Sequence, residues 1–163
     1  AAAAEEEEAA AAADEPAAVA GILIDGDALS LGLVAVRHTG SPSKGHGVFA
    51  LSPLPANTWV GDYVGEVLTQ EAYLKRYPKE DAEYVLQANE DYNVDAADPT
   101  VSSFTRYLNH APGPEANVFF EIVKVRRQRE KRVAFYTARE VEAGEELCFD
   151  YGRTYWEGKA APS

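Results

Sequence analysis

From Gly21 onward the apolar residues fall in short runs: "GILIDG", "LGLVAVRH", "GHGVFAL", "TWVGDYVGEVL", "EYVLQA", "DYNVDA", "NVFFEIVKV", "KRVAFYTA" and "EELCFDYG". Val, Phe and Tyr dominate them, and Gly, Pro, Asn and Asp separate them at close intervals. That pattern predicts many short strands rather than long helices. One stretch departs from it. In "TQEAYLKRYP", Ala72, Tyr73 and Tyr77 lie near helical spacing, with Thr69 placed as an N-cap and Pro78 as a stop, which predicts one short helix. "VKVRRQREKRVAFY" reads as a hairpin whose charged tip, Arg126 to Arg132, lies in water, and such a tip reads first as a solvated turn. The expected class is mainly β, with one or two short helices.

Residues 1–20, "AAAAEEEEAAAAADEPAAVA", carry no apolar face and are expected to be a disordered tail, leaving 21–163 as one domain. A chain of 163 residues that is 46% apolar can bury one sizeable core. No apolar run approaches the roughly 18 residues that span a bilayer, and the N-terminus lacks a basic start and apolar stretch. The expectation is a soluble, intracellular protein with no membrane association. The single cysteine, Cys148, excludes an internal disulfide and any zinc site built from cysteine clusters. His38, His46 and His110 have no second ligand at metal spacing, so no metal is expected.

The net charge is −12, of which the first twenty residues supply six negatives and no Lys or Arg, leaving −6 for the rest. That balance favours a basic peptide or protein as partner over direct binding to nucleic acid, which needs Lys and Arg to replace phosphate counterions. It serves solubility equally well.

Several segments could carry chemistry, although each alone reads first as ordinary structure. "SKGHGVFA" sets Gly45 and Gly47 around His46 just before an apolar run, and glycines there permit a tight turn and close approach of a ligand to the backbone. "GDYVGEV" places Tyr63 and Gly65 in a strand pattern, where an interior Gly marks a bulge or a close backbone approach. "EYVLQANEDYNVDA" contributes Tyr84 and Tyr92. "RYLNHAPGPEANV" puts a carboxamide and an imidazole side by side before two prolines and a glycine, and "GEELCFDYG" ends the last apolar run with Phe149, Asp150 and Tyr151.

Taken in this order, the segments resemble the SET domain of protein lysine methyltransferases from about Leu33 to Tyr155. The resemblance implies a SET-domain fold of several small antiparallel sheets around a C-terminal pseudoknot, in which the last strand passes beneath the loop formed by the Asn-His segment. It implies S-adenosylmethionine as cofactor. Lys44, Gly45, His46 and Gly47 would hold it largely through backbone atoms, with Tyr63, Arg106, Asn109, His110, Tyr151 and Trp156 completing the site. Tyr151 would be the catalytic tyrosine, with Tyr84 and Phe149 in the lysine channel, and no metal would take part.

The implied substrate is a basic, lysine-containing peptide, a histone tail first. A non-histone protein, or a catalytically silent SET-like binding module, are the alternatives. The short spacing from Val94 to Asn109 holds no inserted domain and favours the compact histone type. The implied location is intracellular, nuclear ahead of cytoplasmic, and a homodimer that completes the groove is left open.

Two departures from the family pattern stand out. The cysteine-rich flanking modules are missing from this sequence, so Tyr155 and Trp156 are the candidates to close the channel. Relatives follow the Asn-His pair with Ser and Cys, whereas here Ala111 and Pro112 stand there and Asn117 comes two residues late, which questions the geometry of the loop.

Overall fold

The computed structural model describes residues 22–125, 127 and 130–152. The Ala/Glu-rich tail, most of the charged hairpin tip, and Tyr155 and Trp156 lie outside the described residues. Among the described residues, ten short strands and one α-helix follow in order: β1 (Val34–His38), β2 (His46–Ala50), β3 (Trp59–Asp62), β4 (Glu66–Leu68), α1 (Gln70–Arg76), β5 (Val85–Asn89), β6 (Tyr92–Asp95), β7 (Asn109–His110), β8 (Val118–Lys124), β9 (Lys131–Thr137) and β10 (Glu146–Phe149). They build three small sheets, ordered β1-β2-β10-β7, β3-β9-β8 and β4-β6-β5. All pairings are antiparallel except β10 with β7. The expected mainly-β class and small antiparallel sheets are what the chain forms.

The helix lies where its spacing predicts. Thr69 caps it, its hydroxyl accepting from the Ala72 amide at 3.2 Å, and the helix stops at Tyr77 just before Pro78. Tyr73 is its one buried residue and packs with Leu68, Ala82 and Val85. Two 3-10 helices, Pro99–Val101 and Phe104–Tyr107, precede the Asn-His segment.

Two expected strands differ. Residues 22–26 form no strand and run into a turn, because the Asp27 carboxylate accepts from the amides of Ser30 (2.7 Å) and Ile24 (3.3 Å) and so offers the backbone an alternative to a sheet ladder. "TWVGDYVGEVL" is two strands in two different sheets. The break lies at Gly65, where a Cβ would sit 2.2 Å from the Asp95 carbonyl oxygen. Only a residue without a side chain lets β6 come so close.

The largest fully buried side chains include Phe104, Phe135, Leu54, Leu108 and Leu147, each worth roughly 1.5–3 kcal/mol of transfer free energy. One of them, Leu147, lies on β10, an interior strand pairing with β2 on one side and with β7 on the other. Past His110 the chain crosses β10: the Ala111 amide donates to the Phe149 carbonyl at 3.1 Å, and the Asn117 amide to the Cys148 carbonyl at 3.1 Å. The Asn117 carboxamide adds a second pair, accepting from the Cys148 amide and donating to the Glu146 carbonyl, both at 2.9 Å. The last strand is thus threaded under the 110–117 loop, forming the pseudoknot. The two extra residues of that loop are absorbed in a compact turn closed by the Glu115 and Ala116 amides on the Pro112 carbonyl (2.8 and 3.0 Å).

Candidate active site

Beyond Phe149 the chain has left the sheet, and Tyr151 turns back on the knot. Its amide donates to His110 Nδ1 at 3.0 Å and its hydroxyl to the Leu108 carbonyl at 2.5 Å. Its ring lies 4.6 Å from that of Phe149, which in turn packs 4.8 Å from Phe135. Because Nδ1 of His110 accepts this bond, its neutral tautomer carries the proton on Nε2. Burial holds the His110 pKa below the ordinary imidazole value and the Lys44 ammonium pushes the same way, while Asp150 works against both.

Tyr151 and Phe149 form one end of a cavity of about 360 Å³. Tyr63, Leu108 and Phe120 line it too, as do Gln70 and Tyr73 from α1 and the acidic residues Glu80, Glu83 and Asp150. Tyr63, expected on the cofactor or channel side, lines this cavity. Its hydroxyl is fixed on the Tyr84 carbonyl at 2.8 Å.

Tyr84 and Arg106 lie against each other: the Arg106 guanidinium is 3.9 Å over the Tyr84 ring centroid, and burial raises the phenol's pKa. Arg106 itself lines the cavity and donates to the carbonyls of Ala96 (2.9 Å) and Ala97 (3.1 Å) and to the Tyr107 hydroxyl (2.9 Å), three of its five N–H donors.

The remaining predicted residues gather on the other side of Tyr151. Gly45, at φ +64, forms the turn between β1 and β2, closed by the Thr39 amide on its carbonyl at 2.8 Å. Asn109 Nδ2 donates both to the His46 carbonyl (2.9 Å) and to Glu146 Oε1 (2.7 Å), tying the Gly45–Gly47 turn to the knot. Gly47 leaves room for this bond, since a Cβ there would lie 2.5 Å from Glu146 Oε1 and 3.0 Å from Asn109 Nδ2 and would displace them. The Lys44 charge acts on His110. Lys44, Gly45, His46, Gly47, Asn109 and His110 therefore form one group and Tyr63, Arg106 and Phe149 another, with Tyr151 between them; Trp156 lies outside the described residues.

Three contributors escaped the sequence reading. Glu146 anchors Asn109, Asn117 fastens the knot, and Tyr107 places its ring 6.0 Å from that of His46. The only signal for Glu146 is an acidic residue opening a strand whose next three positions are buried.

Residues 45–152 match the family model described as the SET domain. The chain is 33% identical over 117 residues to the histone-lysine N-methyltransferase SUV39H1 of Xenopus laevis, covering 68% of this chain and 27% of that protein. It is 34% identical over 121 residues to an H3 lysine-4 specific histone-lysine N-methyltransferase of Yarrowia lipolytica, covering 71% and 10%. Among solved structures it is similar to the Chaetomium thermophilum Polycomb Repressive Complex 2 in an autoinhibited conformation bound to S-adenosylmethionine, with a TM-score of 0.61 and 27% identity over 77% of this chain and 16% of that one. The chain spans about a quarter or less of the length of these relatives. With the threaded strand, the Gly-His-Gly turn and the Asn-His pair in one place, the chain belongs to the SET-domain family.

Proposed function

We propose that this domain is an S-adenosylmethionine-dependent protein lysine N-methyltransferase acting on a histone tail in the nucleus. The observation that carries the reading is Tyr151, which is fixed by three elements of the knot and stands between the Gly45–Gly47 turn and an aromatic cavity.

The residues present fit the cofactor. Among the described residues, nothing beyond its own chain neighbours lies within 4 Å of the position a Gly45 side chain would take, whereas Gly47 is closed in by Asn109 and Glu146. The turn is therefore open on one side and rigid on the other, with a neutral imidazole and a carboxamide beside it. Gly45, His46 and Gly47 would hold the cofactor by backbone groups, and Asn109 and His110 by their segment's polar atoms. When bound, S-adenosylmethionine supplies a methyl on a sulfonium sulfur, which an amine lone pair displaces in line, leaving a neutral thioether.

The chain's own residues do the rest. Phe149, Phe120 and Tyr63 exclude water from the inner cavity, which disfavours an ammonium and lowers the pKa of an entering lysine from its usual ~10.4. The Tyr151 hydroxyl spends its proton on the Leu108 carbonyl, so its oxygen lone pairs are left for an electropositive methyl. Glu80, Glu83 and Asp150 among the lining residues give the cavity an acidic character suited to a basic tail. Relatives named for histone lysine methylation and a solved neighbour holding S-adenosylmethionine support the same assignment.

Mass spectrometry of core histones incubated with S-adenosylmethionine tests it. The expected result is a gain of methyl mass on lysine that falls by about 10²–10³ in rate for Tyr151→Phe, the scale of losing one preorganised electrostatic contact. Cofactor binding without any methylated product would leave a silent binding module instead.

A further inference from the structure

The cavity is lined from two separate cores. Tyr63, Leu108 and Phe149 belong to the main core and Tyr151 packs against it, whereas Tyr73, Ala82 and Val85 belong to a smaller cluster with Leu68. The chemistry proposed above uses only the first group. Beside the second, two polar atoms are left unused by the fold: Nε2 of Gln70 and the hydroxyl of Tyr73. Neither makes a hydrogen bond among the described residues, and neither is sealed from solvent, although Tyr73 is only 5% exposed. Both residues line the cavity, so both atoms open on it.

Gln70 cannot present either end of its carboxamide at will. Asn93 on β6 is fully buried, and its Nδ2 donates to the Leu68 carbonyl and to Gln70 Oε1, each at 3.3 Å. A backbone carbonyl only accepts, so Asn93 must turn its nitrogen towards Leu68. Gln70 must then meet that nitrogen with its oxygen, because two amide nitrogens cannot bond each other. What remains for the cavity is the Gln70 nitrogen with its two donors. Asn93 holds this arrangement at a cost, since its own Oδ1 is buried without a partner. An apolar residue would fill the same place without that orphan, and such local conflicts concentrate at functional sites. Tyr73 stands three residues further along α1, on the same face as Gln70. Burial raises its pKa, and the Glu80 and Asp81 carboxylates push the same way, so the phenol stays protonated.

We propose that Gln70 and Tyr73, held ready by Asn93, form a specificity subsite for an amide group of the substrate beside the target lysine. The subsite rests on the methyltransferase reading of the cavity. Gln70 Nε2 donates, so the group it meets must accept; ammonium and guanidinium groups only donate and are excluded there. Glu80 and Glu83 line the same cavity and repel a carboxylate. An amide supplies a neutral carbonyl for Gln70 and an N–H for the Tyr73 oxygen on two separate atoms, which a single hydroxyl cannot do. The source of that amide is either a Gln or Asn side chain flanking the lysine or the peptide main chain itself.

Steady-state kinetics of the full chain on single-lysine peptides, with Gln, Asn, Glu, Arg or Leu at each neighbouring position, test it. A side-chain source predicts that Gln or Asn at one position lowers KM about tenfold relative to Leu and Glu. A main-chain source predicts no such preference, and a similar rise in KM when one peptide bond is N-methylated. Tyr73→Phe removes a hydroxyl that bonds nothing in the free protein, so it should raise KM about tenfold and leave the thermal midpoint unchanged. Gln70→Glu keeps an acceptor for Asn93 but exchanges the donor pair for a carboxylate. It should weaken the preferred peptide about tenfold and turn the preference towards Arg. Calorimetry with norleucine in place of lysine, in the presence of S-adenosylmethionine, separates the two readings. Binding that depends on Gln70 without methyl transfer to the lysine peptides retains the subsite and removes the methyltransferase. Arg preferred by the unaltered protein, peptide affinity unchanged in both variants, or no peptide binding at all overturns the subsite.

Discussion

Asn117 uses both ends of one carboxamide on a single strand. It is 3% exposed, and its amide groups satisfy the Cys148 N–H and the Glu146 carbonyl where the knot closes. Asn117→Ala strands both backbone groups, so urea unfolding should show a loss of about 2–4 kcal/mol. Asn117→Asp should be worse at neutral pH, because a carboxylate can accept from Cys148 but then faces the Glu146 carbonyl and the nearby Glu145 side chain. Its deficit should shrink as the pH falls towards 4 and the new acid protonates; a deficit independent of pH would refute this account. The order of chemical residues along the chain made Asn109, His110, Phe149 and Tyr151 legible in advance. Asn117 and Glu146 were not, because each acts on backbone brought near only by the threading, and no local spacing encodes that.

At the scale of elements, α1 is held against the β4-β6-β5 sheet by one cation. Arg76 donates to Glu66 at 2.7 Å and to Asp95 at 3.0 Å, and Asp95 also accepts from the Tyr77 hydroxyl at 2.8 Å. Burial, then the Asp95 carboxylate, pushes the Tyr77 pKa up to about 12. The Asp95 side chain is 4% exposed while that of Arg76 is 41% exposed, so the partly screened cation compensates a buried charge. Arg76→Ala should cost about 1–3 kcal/mol in unfolding experiments, most of it from Asp95 losing its partner. Since Gln70 and Tyr73 of the same helix line the cavity, the variant should raise the KM for a lysine peptide several-fold with a smaller change in kcat. An unchanged KM would mean that the helix does not shape the substrate path. The helix itself was readable, because Thr69, the apolar spacing and Pro78 are all local. The division of residues 58–68 between two sheets was not: it depends on β6, thirty residues later, arriving against Gly65. The turn at 22–26 was lost for the opposite reason, since apolar content concealed an aspartate able to bond its own neighbours.

For the whole molecule, the knot makes the only thiol a reporter of global opening. Cys148 lies on β10, 9% exposed, with its amide and carbonyl both bonded to Asn117. Burial, helped by Glu146 and opposed by Lys44, pushes its pKa up to about 12. At pH 8 about one molecule in 10⁴ would then carry the reactive thiolate, before any steric protection. β10 cannot expose this residue without giving up β2, β7 and the 110–117 loop together, and these are the contacts that surround the core. Thiol labelling should therefore proceed through the fully unfolded state, with a protection free energy matching that from denaturant titration to within about 1.4 kcal/mol, a factor of ten in rate. The proposed cofactor gives an independent check, because its holding residues flank this strand: Glu146 braces Asn109 on one side, and Tyr151 is bonded to His110 on the other. S-adenosylmethionine at about 100 times its Kd should slow labelling about a hundredfold, or 2.7 kcal/mol. Labelling much faster than global unfolding, and indifferent to the cofactor, would show that the last strand slips out of the loop on its own and that threading does not tie the cofactor turn to the lysine channel.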